Sequence, residues 1–247
     1  MNKTEVIQSV YKDLPQIIAN LCRFGNFEPR IYYLNNEKKL AYLENCKVGS
    51  TSIINSLFGL QYANNPGIVH MVLQGRMKNE LERNDGYKDY YIFTYVRNPF
   101  ERMVSCYKDK IIRKNYWYRR RGYFAFIADS TDFDDFIDNL ALVPDILSDR
   151  HFRSQYSLIY KRGKKLVDFV AKIETIQDSY SKFVEEYDLP PIENYNSTKK
   201  DDWMDYYSLD SAKKVYRRYK NDIIKFGYEE EYKKLLSYIK QKNKKGN

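Results

Sequence analysis

The sequence predicts a three-layer α/β domain built on a mainly parallel central sheet. Two observations point there. β-prone runs at residues 31–34, 40–43, 90–96 and 166–170 are separated by longer segments with helical periodicity, the order that packs helices around a mainly parallel sheet. No linker, internal repeat or low-complexity stretch divides the chain, so its 247 residues read as a single domain, long enough to bury a large core without disulfide or metal staples.

Each element has its own signal. Apolar spacing at Val6, Val10, Ile17 and Leu21, interrupted by Pro15, reads as one or two short helices. Runs 31–34 and 40–43 are short strands around a turn at Asn35-Asn36-Glu37, residues that favour turns. Ile53, Ile54 and Leu57 mark a helix after Cys46-Lys47-Val48-Gly49-Ser50-Thr51-Ser52. Tyr90-Tyr91-Ile92-Phe93-Thr94-Tyr95-Val96 is the strongest strand, closed by Pro99. Phe100, Met103, Val104, Tyr107 and Ile111 fit one helical face, as do Phe133, Phe136, Ile137 and Leu140. Ile176, Tyr180, Phe183, Val184 and Tyr187 mark a helix that stops before Pro190-Pro191. A late helix runs from Leu209 to Ile223, and a last one carries Tyr232, Leu235, Leu236 and Ile239 ahead of a solvated basic tail at 240–247.

Composition excludes several classes. Lys and Arg number 42 against 33 Asp and Glu, a formal charge of +9, which favours a polyanionic or phosphorylated partner. A hydrophobic fraction of 43% is too high for a disordered chain. No apolar run approaches the roughly 20 residues a membrane helix needs, and Met1-Asn2-Lys3-Thr4-Glu5 lacks the apolar stretch of a secretory signal. Three cysteines without CxxC spacing and two histidines 81 positions apart, His70 and His151, form neither a disulfide framework nor a zinc site. The expectation is a reduced, cytoplasmic protein without a metal.

Two strand-to-helix junctions have phosphate chemistry. At the first, a P-loop-like strand–loop–helix, Gly49 permits a tight turn while Ser50, Thr51 and Ser52 offer hydroxyls and N–H groups at a helix N-terminus. Such an end carries partial positive charge, and Lys47 adds a full one. An ordinary N-cap serine beside a solvated lysine would make the same pattern, and GxxxxGK[ST] is absent. At the second, Val96-Arg97-Asn98-Pro99-Phe100-Glu101-Arg102-Met103-Val104-Ser105, Arg97 ends the strongest strand at the rim where α/β folds bind ligands. Ser105 lies off the apolar stripe, on the side of Glu101 and Arg102, so Arg97 and Ser105 can face one phosphate. A strand-end arginine and a surface serine is the plain alternative.

Together the two junctions resemble the nucleotide-binding motifs of sulfotransferases that use 3′-phosphoadenosine-5′-phosphosulfate (PAPS), above all the carbohydrate sulfotransferases of the chondroitin and dermatan 4-O-sulfating group. Their Pro-Lys-x-x-x-Thr loop is similar to Cys46-Lys47-Val48-Gly49-Ser50-Thr51, with Cys for Pro. Their Arg-Asp-Pro-Phe-Glu-Arg-Leu-Val-Ser segment is similar to residues 97–105, with Asn98 and Met103 as the changes. Asp149-Arg150-His151-Phe152-Arg153-Ser154-Gln155 resembles their Asp-x-His-Trp-x-Pro-Gln, and Val167-Asp168-Phe169-Val170-Ala171-Lys172-Ile173-Glu174 another of their stretches. Asn196-Ser197 and the spacing Tyr219…Asp222…Phe226-Gly227-Tyr228 also fit, so the likeness covers about residues 40–230. The cysteines and membrane anchor of the secretory-pathway enzymes have no counterpart, which suggests a cytoplasmic, microbial relative.

The resemblance implies sulfuryl transfer from PAPS to a carbohydrate hydroxyl, with no metal and no nucleic-acid partner. Lys47 would offset charge on the departing 5′-phosphate, residues 47–52 (Lys47, Val48, Gly49, Ser50, Thr51, Ser52) would hold that phosphate, and Arg97 and Ser105 the 3′-phosphate. The acceptor needs a base, and histidine titrates near working pH. His151 comes first by its motif and His70 second. Arg153 and the aromatic-basic run Trp117-Tyr118-Arg119-Arg120-Arg121-Gly122-Tyr123 are candidates for holding the acceptor, Trp117 and Arg119 foremost. The alternatives are a non-catalytic protein that holds RNA or an acidic glycan, which accounts for the charge but not the paired motifs, and a nucleotide kinase, which the missing GK[ST] disfavours.

Overall fold

The structure, a computed structural model, describes residues 14–15, 18–23, 28–60, 73–79, 81, 86–113, 125–192 and 202–245. In chain order its main elements are β1 (Ile31–Asn35), β2 (Leu40–Leu43), α1 (Ser50–Phe58), β3 (Met77–Asn79), β4 (Tyr91–Val96), α2 (Pro99–Tyr107), α3 (Phe133–Ala141), β5 (Tyr160–Lys161), β6 (Lys164–Lys165), β7 (Phe169–Lys172), α4 (Ile176–Tyr187), α5 (Leu209–Arg218), α6 (Lys220–Lys225) and α7 (Glu229–Lys245). They fall into two compact units, one of residues 29–97 and 157–200, the other of 1–28, 98–156 and 201–247.

The first unit holds a five-stranded sheet in the order β3-β1-β2-β4-β7. β1 runs antiparallel to β2 and β3, whereas the β2–β4 and β4–β7 pairs are parallel. The expected mainly parallel sheet is therefore corrected to a mixed one. The cause is local: Asn35 Oδ1 accepts the Lys38 N–H at 3.1 Å and Lys39 takes φ +51°, a tight turn far too short for a parallel crossover. β3 has only three residues and no alternation, so the sequence carried no signal for it. β7 begins at Phe169, later than the expected 166–170 run, because the Leu166 N–H bonds Ile159 O and the Asp168 carboxylate takes the Ile92 N–H at 2.8 Å.

Strand register lines up Met77, Tyr33, Tyr42, Phe93 and Phe169 across one face. Ile53, Ile54 and Leu57 of α1 and Tyr180 and Phe183 of α4 pack into the same core. Phe93 meets Phe183 with ring centroids 4.7 Å apart. Each fully buried side chain of this size contributes about 1.5–3 kcal/mol. On the opposite face Ala41, Leu43, Ile92, Thr94 and Val96 are also buried, and the Thr94 hydroxyl is satisfied by Leu43 O at 2.8 Å. A sheet buried on both faces explains the unbroken apolar run of β4.

The second unit is helical. Asn98 caps α2, its Oδ1 accepting the Phe100 N–H at 3.0 Å, with Pro99 inside the first turn. Phe100 stacks on Tyr232 of α7 at 5.5 Å. The helix expected to reach Ile111 leaves α geometry after Tyr107 and continues as a π-helix, Lys108–Ile112. Asp132 caps α3, and Ser208 with Ser211 forms a capping box on α5. The single late helix expected from Leu209 to Ile223 is two, parted at Tyr219, whose φ of −107° leaves the helical range.

Candidate functional site

The loop joining β2 to α1 carries the first expected phosphate site. Gly49 precedes α1 at φ +74° and no side chain caps the helix. A Cβ at Gly49 would stand 3.3 Å from Ile173 Cδ1, in a backbone region that side chains rarely adopt. Lys47 is left-handed as well, at φ +69°, which costs a residue with a Cβ about 1–2 kcal/mol and has to be held by its surroundings. Arg97, at the end of β4, supplies one hold, donating from Nη1 to the Lys47 carbonyl at 3.2 Å. Asn45 supplies another, its Nδ2 donating to Tyr95 O at 2.9 Å. Ser50 Oγ donates to Asn45 O at 2.6 Å and meets Tyr42 Oη at 2.8 Å. Burial raises the Tyr42 phenol far above its usual range, so it stays protonated and donates to Ser50.

The loop after α3 carries the second set. His151 Nδ1 lies 2.5 Å from Asp149 Oδ1, and the His151 N–H donates to the same oxygen at 2.7 Å. Asp149 is buried, whereas the His151 side chain keeps 22% of its surface exposed. Burial pushes His151 below its ordinary 6.5; the Asp149 carboxylate opposes this, and the charges of Lys110 and Arg150 reinforce it. The ring is neutral at neutral pH. With a carboxylate at Nδ1 the proton sits there and the lone pair on Nε2.

Deep contacts hold this loop. Arg102, fully buried, donates from Nη2 to the carbonyls of Arg150, His151 and Arg153 at 3.2, 3.1 and 2.9 Å. Cys106 Sγ donates to His151 O at 3.2 Å, and Tyr219 Oη to Phe152 O at 2.6 Å. The Asp222 carboxylate accepts the N–H groups of Gln155 and Tyr156 at 2.9 and 2.7 Å. Glu28 accepts the Arg150 N–H at 3.2 Å, its own carboxyl raised by burial and by Asp149.

Lys47, Gly49 and Arg97 thus come together in the sheet unit, while Ser105, half-buried on α2, and His151 belong to the helical unit. Three expectations change. Val48 and Ser52 are buried, and the Ser50 hydroxyl is committed inside the loop, so these three side chains do not present themselves as expected. Arg153, expected at the acceptor, is fully buried and donates to Glu28 O at 2.9 Å and Ser148 O at 3.3 Å. Arg102 does not share the side of Ser105; it points inward. Tyr219 and Asp222, noted only for their spacing, turn out to be fasteners of the His151 loop. His70, Trp117, Arg119 and the Asn196-Ser197 pair lie outside the described residues. Among the described residues no group of His, Cys, Asp and Glu is placed to hold a metal ion, and no helix is long and apolar enough to cross a membrane.

Comparison with known proteins adds lineage to this geometry. The family described as "Sulfotransferase family" matches residues 30–229. Carbohydrate sulfotransferase 10 of Pongo abelii is 24% identical over 270 aligned positions, covering 89% of this chain and 76% of that protein. The Homo sapiens and Gallus gallus proteins of the same name are each 23% identical, covering 89% and 92% of this chain and 76% and 75% of their own. No solved structure matches the chain significantly.

Proposed function

The chain belongs to the sulfotransferase family, and on that premise we propose that it moves a sulfuryl group from PAPS to a carbohydrate hydroxyl, with His151 as general base. The observation that carries the donor half is the bond from Arg97 to the Lys47 carbonyl. It supports that reading by bringing Arg97 to the Lys47 loop, 50 positions away in the chain, beside a helix start that no side chain caps. Backbone N–H groups, an ammonium and a guanidinium can only donate hydrogen bonds, the chemistry that suits phosphate oxygens.

Bound PAPS supplies the sulfuryl group and departs as adenosine 3′,5′-bisphosphate. Around it, Lys47 and the first N–H groups of α1, a P-loop-like arrangement, hold the 5′-phosphate end and offset the charge that grows there as the S–O bond breaks. Arg97 and Ser105 bind the 3′-phosphate. His151 receives the acceptor proton on Nε2 while Nδ1–H stays on Asp149, which steadies the imidazolium that forms. Trp117 and Arg119 are the acceptor contacts to test, and His70 is the competing base. The carbohydrate acceptor follows the kind of relative the chain resembles.

Thermal unfolding with adenosine 3′,5′-bisphosphate, AMP and ATP tests the donor half. The bisphosphate should raise the melting temperature well above the shift with AMP, and Arg97→Ala should erase the difference. Equal shifts, or a larger one with ATP, would overturn the assignment. For the base, kcat at saturating PAPS and acceptor should fall about 10²–10⁴-fold in His151→Ala with nucleotide affinity intact. A larger loss in His70→Ala would transfer the role.

A further inference from the structure

The loop bearing His151 is fastened from within by a charge that neither the donor phosphates nor the acceptor proton requires. Arg102 is fully buried, and one of its nitrogens serves three carbonyls, those of Arg150, His151 and Arg153. Filling that volume with an apolar side chain would avoid the heavy desolvation cost of a buried guanidinium. What an apolar side chain cannot supply is direction. A planar guanidinium bonds only to carbonyls brought to its edge, so it selects one conformation of the loop. On the amide side, Asp222, also fully buried, accepts from Gln155 and Tyr156. Opposite charges therefore bracket the segment, each meeting the polar groups that water would otherwise satisfy.

We propose that Arg102 is a positioning residue for His151: by gripping the carbonyls on both sides of that residue and its own, it holds the imidazole on Asp149 and so aims Nε2, the nitrogen that takes the acceptor proton. The inference rests on the reading of His151 as the base. It assigns to Arg102 no contact with donor or acceptor, so its signature is in kcat and not in binding.

The test compares wild type, Arg102→Lys, Tyr219→Phe and His151→Ala. Lysine keeps the charge but loses the fork, and kcat should fall about 10²-fold, the cost of a reacting group misplaced by an ångström. Acceptor KM and affinity for adenosine 3′,5′-bisphosphate should stay within about twofold. With the loop loosened, water reaches the imidazole, so the acid limb of kcat should move up toward the ordinary histidine value. In protein labelled with nitrogen-15 histidine, the Nδ1 proton resonance of His151 should broaden or vanish. Tyr219→Phe keeps its ring and loses the 2.6 Å bond to Phe152 O; it should show the same changes at about tenfold, and it carries the test if Arg102→Lys does not fold. If His151→Ala lowers kcat while Arg102→Lys or Tyr219→Phe leaves kcat, pH limb and resonance unchanged, the positioning role is refuted and the base reading stands. If His151→Ala itself retains kcat, the base reading falls and this inference with it.

Discussion

At His151 two opposing influences set when the ring can act. Burial disfavours its charged form and outweighs the Asp149 carboxylate, so the acid limb of kcat should have its midpoint below the ordinary 6.5, read from kcat against pH at saturating substrates. The sign for stability follows: the unfolded chain takes up its proton near 6.5 and the folded one only at lower pH, so the contribution of His151 is lost as pH falls through that window and is constant above it. Asp149→Asn removes the carboxylate that holds the pKa up, so the limb should shift further down while kcat falls about 10²–10⁴-fold. Gly49 is constrained by backbone and not by charge. Gly49→Ala puts a methyl into a left-handed position 3.3 Å from Ile173 Cδ1, and should cost about 1–2 kcal/mol in urea unfolding. It should also weaken adenosine 3′,5′-bisphosphate binding, because the same turn aims the first N–H groups of α1.

Among the elements, α2 shows how caps fix a helix start. Asn98 Oδ1 takes the Phe100 N–H and Pro99 follows, a signal that could be read directly from Arg97-Asn98-Pro99. Asn98→Ala should destabilise the protein by about 1 kcal/mol, measured as a lower urea midpoint with an unchanged slope. Other boundaries were not legible. The break at Tyr219 interrupts a periodic apolar pattern, and what stands at the break is a phenol bonded to Phe152 O and an Asp222 bonded to two amides. Nothing local to residues 209–223 encodes those partners. The β1–β2 hairpin is legible as Asn35-Asn36-Glu37, and with β3 it makes half of the sheet antiparallel, whereas the later alternation of strands and helices points only to the parallel half.

Over the whole molecule the +9 charge acts at a distance that salt controls, since the screening length shrinks from about 10 Å at 0.1 M to about 3 Å at 1 M. Affinity for adenosine 3′,5′-bisphosphate should fall several-fold over that range by calorimetry, and Arg97→Ala should flatten the slope; a salt-independent affinity would mean that the cations do not hold the nucleotide. What the sequence determined by itself is local: Gly49 ahead of a helix, Arg97 at the end of an apolar strand, a His two positions from an Asp. These are short-range patterns whose backbone needs are written in neighbouring residues. What only the tertiary structure decided is which charges face inward. Helical periodicity set Arg102 beside Ser105 on the polar side, and motif likeness set Arg153 at the acceptor. Both are buried because carbonyls far off in the chain, 48 to 51 positions from Arg102 and 125 from Arg153 at Glu28, converge to satisfy them. A buried cation is stable only where such acceptors meet, and that meeting exists only in the folded chain.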